Sequence, residues 1–430
     1  MSRTPPFAPH AYAEHLKSTG NYSTNGTILW RWTGTHWVPW EESEGKTHAY
    51  SWLATRTGAE HSHISDANAG KAYSAAVRWV RPMAEVSANE FILPVLNGYL
   101  HLENGHAILK PHDKALGVQH IIRCEYTPDA PEPVLFKKFL TRILPDEEVL
   151  RRVQEFIGYS LLHDCRFQRA ALWIGSGANG KGVLANILQA LHSRTAAVRL
   201  DNLDGFGLSG LLGASLIYCD EAPQRGINEQ SLKSMVSGET VQIERKYRDP
   251  VSTKIQGKWL VLANHIPAIK DQSEGFWRRW DIVPFTVTIP EGERIPLLDE
   301  RIIEKELAGV LNWAIDGLLR LLERQMFALE VPRAMQQVLH QAKVETNSVL
   351  SWFEYNDCGL SLEADIPKTR AYAHYADWCR RNGLSPVAST KFWKRLGDVV
   401  GSGRLLEGRM RISGAHVRCC NVHLNTMIDV

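Results

Sequence analysis

The sequence predicts an α/β protein whose core carries a phosphate-binding loop between a strand and a helix. The loop GSGANGKG (175–182) follows the apolar run ALWI and precedes VLANILQALHS, which has helical periodicity. Two further apolar runs, SLIYC (215–219) and WLVLA (259–263), are separated by helical or polar connections. Strands that alternate with helices are typical of a sheet covered by helices, so we expect an α/β core.

The composition is that of a folded protein without an overall charge bias. The chain has 430 residues, of which 44% are hydrophobic, and its 49 Lys and Arg against 47 Asp and Glu give a net charge of +2. This length predicts two to three domains. The composition excludes disordered, collagen-like and disulfide-rich classes. Any basic binding site must therefore be local.

The cysteine pattern and the hydropathy indicate the cellular compartment in which the protein is expected. Seven cysteines with no CxxC pair indicate reduced thiols rather than a disulfide framework or a zinc ribbon. No run of about 18 apolar residues occurs, and no apolar stretch follows Arg3 near the N-terminus. We therefore expect a cytoplasmic protein with no membrane partner.

The patterns along the chain divide it into four regions. The first mixes strand and helix patterns, the second joins amphipathic helices to the loop-bearing core, and the third is helical. The last has the order helix, helix, hairpin, which is typical of a winged-helix module. We expect a mixed α+β N-terminal domain at 1–130, amphipathic helices plus the loop-bearing core at 131–290, a helical lid or linker at 291–345, and a winged-helix domain at 346–430.

Aromatic residues and turn signals define the N-terminal region. Bulky residues alternate around Gly34 in ILWRWTGTHWVPW (28–40) and predict a β-hairpin. Its four tryptophans are expected to form the core of a small sheet, and stacking on nucleic-acid bases is the alternative. A helix is expected over 66–90. After it, Asn97-Gly98 and Asn104-Gly105 predict turns between short strands.

The Gly-rich loop is the first element that carries chemistry. The pattern GxxxxGK lets backbone N–H groups surround phosphates at a helix N-terminus, while the lysine reaches the β- and γ-phosphates. One position departs from the pattern, because Gly182 stands where a Ser or Thr hydroxyl usually holds Mg²⁺. A purely structural Gly-rich turn is the alternative. The residues expected to bind the nucleotide are Gly175, Ser176, Gly177, Ala178, Asn179, Gly180, Lys181, Gly182 and Val183.

Polar residues end the two later strands. Asp220 and Glu221 follow SLIYC, and the first of them lies 39 residues after Lys181. We expect both acids to hold the metal and Glu221 also to activate water, and a solvated pair of acids is the alternative. Asn264 follows WLVLA, where it is expected to orient the attacking water or sense the γ-phosphate. Its alternative role is turn formation.

A pair of arginines stands among aromatic residues in FWRRW (276–280). Either Arg278 or Arg279 is a candidate arginine finger that neutralises charge on the γ-phosphate of a neighbouring subunit. The alternative is that both stack on aromatic rings and form salt bridges.

Basic residues are concentrated in two places. QIERKYRDPVSTKIQGKW (242–259) reads as two strand-like runs around Arg248-Asp249-Pro250, and a basic hairpin with an aromatic residue suits single-stranded DNA. Residues 380–418 hold nine basic residues against two acidic ones, a local charge of +7 that fits duplex binding. A solvated hairpin and a protein-docking wing are the alternatives. The DNA-binding candidates are Lys246, Tyr247, Arg248, Lys254, Arg409 and Arg411.

The ordered motifs resemble a superfamily 3 helicase of the phage/plasmid primase-helicase family. They are GxxxNGKG, the strand ending in DE, SGETVQIERKYRDP, WLVLANHIP and EGFWRRW, and the resemblance covers about residues 90–290. It implies that 131–290 is a helical collar plus an AAA+ type P-loop ATPase core, that 346–430 is a winged-helix DNA-binding domain, and that the chain assembles into a hexameric ring with its ATPase sites between subunits. It also implies movement on DNA from 3′ to 5′.

The resemblance also assigns roles to individual residues. It implies that Lys181 is the Walker A lysine, that Asp220 and Glu221 are the Walker B acids, and that Asn264 is the sensor 1 residue. Arg279, directly before WDIVPF, is the better match to the arginine finger, and Arg278 is the second. Lys246 and Tyr247 fall at the tip of the DNA-gripping hairpin.

The expected cofactors are ATP and Mg²⁺, and the expected partners are single-stranded and forked DNA. A homo-hexamer is expected, with a separate primase or polymerase, because the roughly 130 upstream residues contain no evident polymerase acids. The expected function is an ATP-dependent DNA helicase in the replication of a mobile element, phage or plasmid. The alternative is an ATP-regulated initiator or loader that binds DNA without translocating. A small-molecule kinase is disfavoured because it leaves the basic hairpin unexplained.

Overall fold

A computed structural model describes residues 6–84, 90–223, 227–245, 248–401, 403–412 and 414–424. It confirms a mixed α/β protein with a parallel sheet at its centre. All seven cysteines are free thiols. Among the described helices, none has both the length and the apolar character needed to cross a bilayer.

The N-terminal region is a three-stranded antiparallel sheet with helices packed beside it. The predicted tryptophan hairpin is confirmed, since Trp32 pairs with Trp37, and three of its four tryptophans are buried. The helix expected over 66–90 ends at Trp79, because the chain turns extended before Pro82. The elements are α1 (His10–Thr19), β1 (Tyr22–Thr24), β2 (Leu29–Trp32), β3 (Trp37–Pro39), α2 (Glu42–Ala54) and α3 (Asp66–Trp79).

A second antiparallel sheet and two helices lead into the core. The turn predicted at Asn104-Gly105 joins the second and third strands, whereas the turn between the first two lies at 96–97, one residue before Asn97-Gly98, because Gly98 already pairs with Val95. The helices are amphipathic as expected, and Asp146 caps the second through the backbone N–H groups of Glu148 and Val149. These elements are β4 (Ile92–Val95), β5 (Gly98–Glu103), β6 (His106–Lys110), α4 (Val134–Ile143) and α5 (Glu147–Ser160).

The core is a five-stranded sheet in the order β13-β7-β12-β9-β8, and every neighbouring pair is parallel. Its central strands are buried on both faces, which explains why they read as continuous apolar runs. The elements are β7 (Ala170–Ile174), α6 (Lys181–Leu191), β8 (Thr195–Ala197), β9 (Leu216–Cys219), α7 (Glu229–Val236), β10 (Thr240–Arg245), β11 (Arg248–Lys254), β12 (Lys258–Ala263), α8 (Glu274–Trp277) and β13 (Trp280–Pro284).

The predicted basic hairpin exists, but its turn is not at Arg248-Asp249-Pro250. Arg245 pairs with Arg248, so Arg248-Asp249-Pro250 lies within β11 rather than between the two strands. Ile243 pairs with Val251, which leaves two residues of β11 opposite one residue of β10. This irregularity is a β-bulge, and a bulge accommodates Pro250 inside a strand because proline cannot donate to the ladder.

Helices follow the sheet, and a small α+β unit ends the chain. The long helix α9 packs against α5 and α6, and one buried cluster joins residues of β4, β5, α5, α6 and α9. In the last unit a three-stranded sheet has the order β15-β17-β16. The elements are α9 (Leu298–Arg324), α10 (Arg333–Thr346), α11 (Ser348–Tyr355), β14 (Gly359–Leu360), β15 (Ile366–Pro367), α12 (Lys368–Arg381), α13 (Ser389–Val400), β16 (Glu407–Ile412), β17 (Ala415–Cys420) and β18 (Val422–His423).

Candidate nucleotide site

The carboxyl ends of the parallel strands bring three loops to one edge of the sheet. The loop after β7 touches the end of β12, where the Gly175 N–H donates to Ala263 O at 3.1 Å. The segment after β13 meets the end of β7, where the Phe285 N–H donates to Ile174 O at 2.7 Å. The residues after β9 join them, because the Ala222 N–H donates to Leu262 O at 2.9 Å. Ligands of open α/β sheets bind at this edge.

The Gly-rich loop has a backbone that only small residues allow. Gly177, Ala178 and Gly180 all have positive φ, at 99°, 50° and 81°. A Cβ at Gly175 would lie 2.3 Å from Asn179 Nδ2 and 2.4 Å from Phe285 O. The loop therefore closes tightly before α6 begins at Lys181, and it presents a helix N-terminus of the kind that binds phosphate.

Lys181 lies inside this loop. Its ammonium donates to Gly175 O at 2.6 Å and to Asn179 Oδ1 at 3.2 Å, which uses two of its three N–H donors. Burial lowers the pKa of the Lys181 ammonium. Asn179 in turn donates to Phe285 O at 3.3 Å, so its amide holds the lysine and ties the loop to the end of β13.

The two acids and Asn264 lie at the same edge with exposed side chains. Asp220 and Glu221 follow β9 directly, and Asn264 follows β12, next to the point where Gly175 is bonded. Exposed carboxylates at a phosphate-binding edge are the donor type that Mg²⁺ takes, so these acids fit a magnesium ion. Gly182 is also exposed, and a Cβ there would meet nothing within 4 Å. The loop therefore contributes no side-chain oxygen at that position.

The two candidate arginines differ sharply in their surroundings. Arg279 is 9% exposed, and its guanidinium donates to Ser237 Oγ at 2.8 Å and to Gly275 O. Arg278 is exposed, and its guanidinium makes no hydrogen bond or ion pair with any described residue. Both precede β13, at the amino end of the sheet, whereas the loop follows the carboxyl end of β7. Five paired residues separate the two edges, or roughly 17 Å at about 3.3 Å per residue.

The candidate DNA-binding residues lie in two other places. Lys246 and Tyr247 lie outside the described residues, Arg248 begins β11, and Lys254 ends it with an exposed side chain. In the C-terminal unit Arg409 and Arg411 are exposed on β16, paired with Arg418 and His416 of β17. Among the described residues, no hydrogen bond or ion pair joins Lys254, Arg409 or Arg411 to the nucleotide loop.

Sequence reasoning missed a buried ion-pair network behind the site. Arg152 of α5 donates to both carboxylate oxygens of Asp281 at 2.8 Å, and both side chains are 3% exposed. Arg169, just before β7, lies 3.7 Å from the same carboxylate and donates to the carbonyl of Arg278. Because Arg152 and Asp281 are 129 residues apart, no local pattern marks the pair.

Two family models match segments of this chain, and one of these segments contains the candidate nucleotide site. The family described as "D5 N terminal like" matches residues 10–145, and a "Family of unknown function (DUF5906)" matches residues 173–279. The second match begins in β7 and ends at Arg279, so it contains the loop, both acids and Asn264.

Viral proteins and solved structures are similar to the chain. A candidate helicase of Acanthamoeba polyphaga mimivirus is 25% identical over 163 residues, 34% of this chain and 16% of the relative. A candidate helicase of Invertebrate iridescent virus 3 is 24% identical over 196 residues, which cover 42% of this chain and 21% of the relative. A solved C-terminal region of NrS-1, in its apo A form, covers 97% of this chain and 100% of its own at 13% identity and a TM-score of 0.53. The "D5 N terminal like" match and the viral relatives together make this chain similar to phage and viral primase-helicases.

These matches confirm the resemblance to the primase-helicase family stated from the motifs. The NrS-1 similarity extends over nearly the whole chain and concerns the fold, and a second NrS-1 structure gives a TM-score of 0.55 with 96% and 99% coverage at 14% identity. The chain spans only 16% and 21% of the length of the two viral relatives.

Proposed function

We propose that this chain is an ATP-dependent DNA helicase with an AAA+ type core, and that it forms a ring and moves 3′ to 5′ in the replication of a mobile element, phage or plasmid. One observation carries the proposal. The phosphate-binding loop, an acidic pair and a polar strand end follow three adjacent parallel strands and meet at one sheet edge. A purely structural Gly-rich turn would not require this convergence.

The residues at this edge divide the chemistry of ATP hydrolysis among them. Backbone N–H groups from Gly175 to Gly182 and the Lys181 ammonium would hold the phosphates. Asp220 would hold Mg²⁺, with Glu221 beside it, and the bound ion would supply positive charge against the phosphate oxygens. Glu221 would take the proton of the attacking water, and Asn264 would orient that water.

The arginine geometry supports a site shared between subunits. Arg278 lies at the opposite edge of the sheet from its own loop, roughly 17 Å of strand away, so its side chain cannot reach a phosphate held there. A neighbouring subunit in a ring can present its loop to this edge. Arg279 is the better match by motif position, but its guanidinium is engaged within its own chain. We therefore assign the finger to Arg278 and a structural role to Arg279.

DNA contacts are assigned to two surfaces. The hairpin of β10 and β11 leads directly into β12, whose end carries Asn264, so a grip on single-stranded DNA there is linked to the nucleotide edge. The C-terminal unit has helix, helix and hairpin in sequence, and its exposed Arg409 and Arg411 suit duplex binding by a winged helix. Forked DNA would engage both surfaces. Priming is left to a separate primase or polymerase.

A second candidate function is an ATP-regulated initiator or loader that binds DNA without translocating. Gly182 favours it, since the loop offers no hydroxyl to the metal and turnover would then be slow. Strand displacement separates the two functions.

The test measures ATP hydrolysis with and without single-stranded DNA, and then displacement of a strand from a forked duplex. DNA-stimulated hydrolysis with displacement, both lost in Lys181→Ala, supports the helicase. Hydrolysis or ATP-dependent assembly on DNA without displacement supports the loader. DNA-stimulated hydrolysis that persists in Lys181→Ala contradicts the nucleotide site itself.

A further inference from the structure

Arg169 connects a buried carboxylate to the main chain of Arg278. It directly precedes β7, and its Nη1 atom donates to the carbonyl of Arg278 and lies 3.7 Å from Asp281 Oδ1. Its guanidinium also lies over the ring of Phe327, at 5.7 Å from the centroid. Three contacts from different elements therefore fix the guanidinium in one place.

The carboxylate of Asp281 does not depend on Arg169 for its charge balance. Arg152 already makes a bidentate pair with it at 2.8 Å and donates a third bond to Ala328 O at 3.3 Å. Arg152 and Asp281 are both 3% exposed, whereas Arg169 is 24% exposed and at a longer distance. The closest polar contact of Arg169 is instead the Arg278 carbonyl. The ion pair of Arg152 and Asp281 therefore holds the Arg169 guanidinium in place while its Nη1 atom binds that carbonyl.

Among residues 276–280, Arg278 alone is exposed to solvent. Phe276, Trp277, Arg279 and Trp280 are all buried, and Arg278 is exposed at the end of the short helix α8. Its main chain is held from one side by the helical bond to Glu274 O and from the other by Arg169. The direction in which its side chain leaves the surface thus depends on Arg169.

We propose that Arg169 is a positioning residue for the arginine finger: it holds the Arg278 carbonyl so that the side chain meets a nucleotide bound by the neighbouring subunit. This inference rests on the proposed function. A displacement of about 1 Å in a catalytic group can cost about 10²-fold in rate. Lysine is not an equivalent replacement for Arg169, because its ammonium lacks the planar guanidinium that lies over the ring of Phe327 while Nη1 binds the Arg278 carbonyl.

The experiment compares Arg169→Ala and Arg169→Lys with Arg278→Ala. The matched control is Arg166→Ala, which removes an arginine of similar exposure, 25%, that pairs with Asp164. ATP turnover, ADP affinity and the thermal midpoint are measured for each. We expect both Arg169 variants to lower kcat about 10²-fold and Arg278→Ala to lower it about 10³-fold or more, with unchanged ADP affinity. The control should keep its kcat.

Subunit mixing separates positioning from damage to the variant's own nucleotide loop. Mixed with Lys181→Ala, Arg169→Ala should regain activity, because its intact loop meets an intact finger. Mixed with Arg278→Ala, it should not, because both variants then lack a working finger. The opposite pattern would mean that Arg169 acts through β7 on its own loop, and it would overturn the inference.

Failure of the inference is distinct from failure of the proposed function. A wild-type chain that does not hydrolyse ATP refutes the proposed helicase, and the inference falls with it. Full turnover by Arg278→Ala refutes the finger and its positioning together. A wild type that turns over, with Arg278→Ala inactive and both Arg169 variants normal, refutes only the inference. An unchanged thermal midpoint in Arg169→Lys excludes misfolding as the cause of its loss.

Discussion

Two glycines of the nucleotide loop are predicted to respond in opposite ways to the same substitution. Gly180 has a φ of 81°, and a Cβ there would lie 2.7 Å from Ile143 Cγ2 and 2.9 Å from Phe139 Cε2. Gly182 lies in the first turn of α6, and a Cβ there would meet no atom within 4 Å. Gly180→Ala and Gly182→Ala thus each add one methyl group to the same loop, the first in a crowded environment and the second in an open one.

The expected free-energy changes follow from these environments. For Gly180→Ala, the left-handed backbone costs roughly 1–2 kcal/mol and overpacking against α4 costs roughly 1–3 kcal/mol, so we expect a loss of roughly 2–5 kcal/mol. For Gly182→Ala, alanine is favoured over glycine in a helix by at most about 1 kcal/mol, so we expect no loss or a small gain.

Urea denaturation followed by tryptophan fluorescence measures the free energy of unfolding, since Trp173 and Trp259 are buried in the core sheet. Binding of a fluorescent ADP analogue reports on the loop itself. Gly180→Ala should bind it weakly, and Gly182→Ala should bind it as the wild type does. Equal stability of the two variants, or a loss above about 1 kcal/mol in Gly182→Ala, would refute the assigned loop geometry.

Three further predictions concern other parts of the molecule. Glu221→Gln should retain bound ATP on a filter yet release no phosphate, and normal turnover would move the base elsewhere. Burial, with His120 and Lys258 nearby, lowers the pKa of His192 to about 3. Its neutral form is therefore the folded form, and stability is lost as pH falls below about 6.5. From pH 7 to 5 this one group costs about 2 kcal/mol, so the loss of stability in urea titrations should be smaller by about that amount in His192→Leu, in which the buried His120 and His163 remain. Lys254→Ala should lower the slope of log binding constant against log salt concentration for single-stranded DNA by about one, whereas Arg409→Ala should weaken duplex binding alone. If both variants affected both kinds of DNA equally, the assignment of two separate DNA-binding surfaces would be contradicted.

Local patterns predicted most elements of the fold. The nucleotide loop, the strand before the acids and the Asn104-Gly105 turn were all predicted, because each depends on residues next to one another in the chain. The error in the basic hairpin has the same origin. Pro250 looks like a turn former, but the register with β10 places it at a bulge within β11.

The sequence by itself determined the chemistry available: a lysine in a Gly-rich loop, two acids, an amide and two arginines, each beside a recognisable strand. Only the tertiary structure decided their arrangement. The order of parallel strands brings the loop, acids and Asn264 to one edge and sends the arginines to the other. It also buries Arg279, exposes Arg278 and joins Arg152 to Asp281 across 129 residues. These outcomes depend on contacts between distant segments, which form only when the sheet and its covering helices pack together.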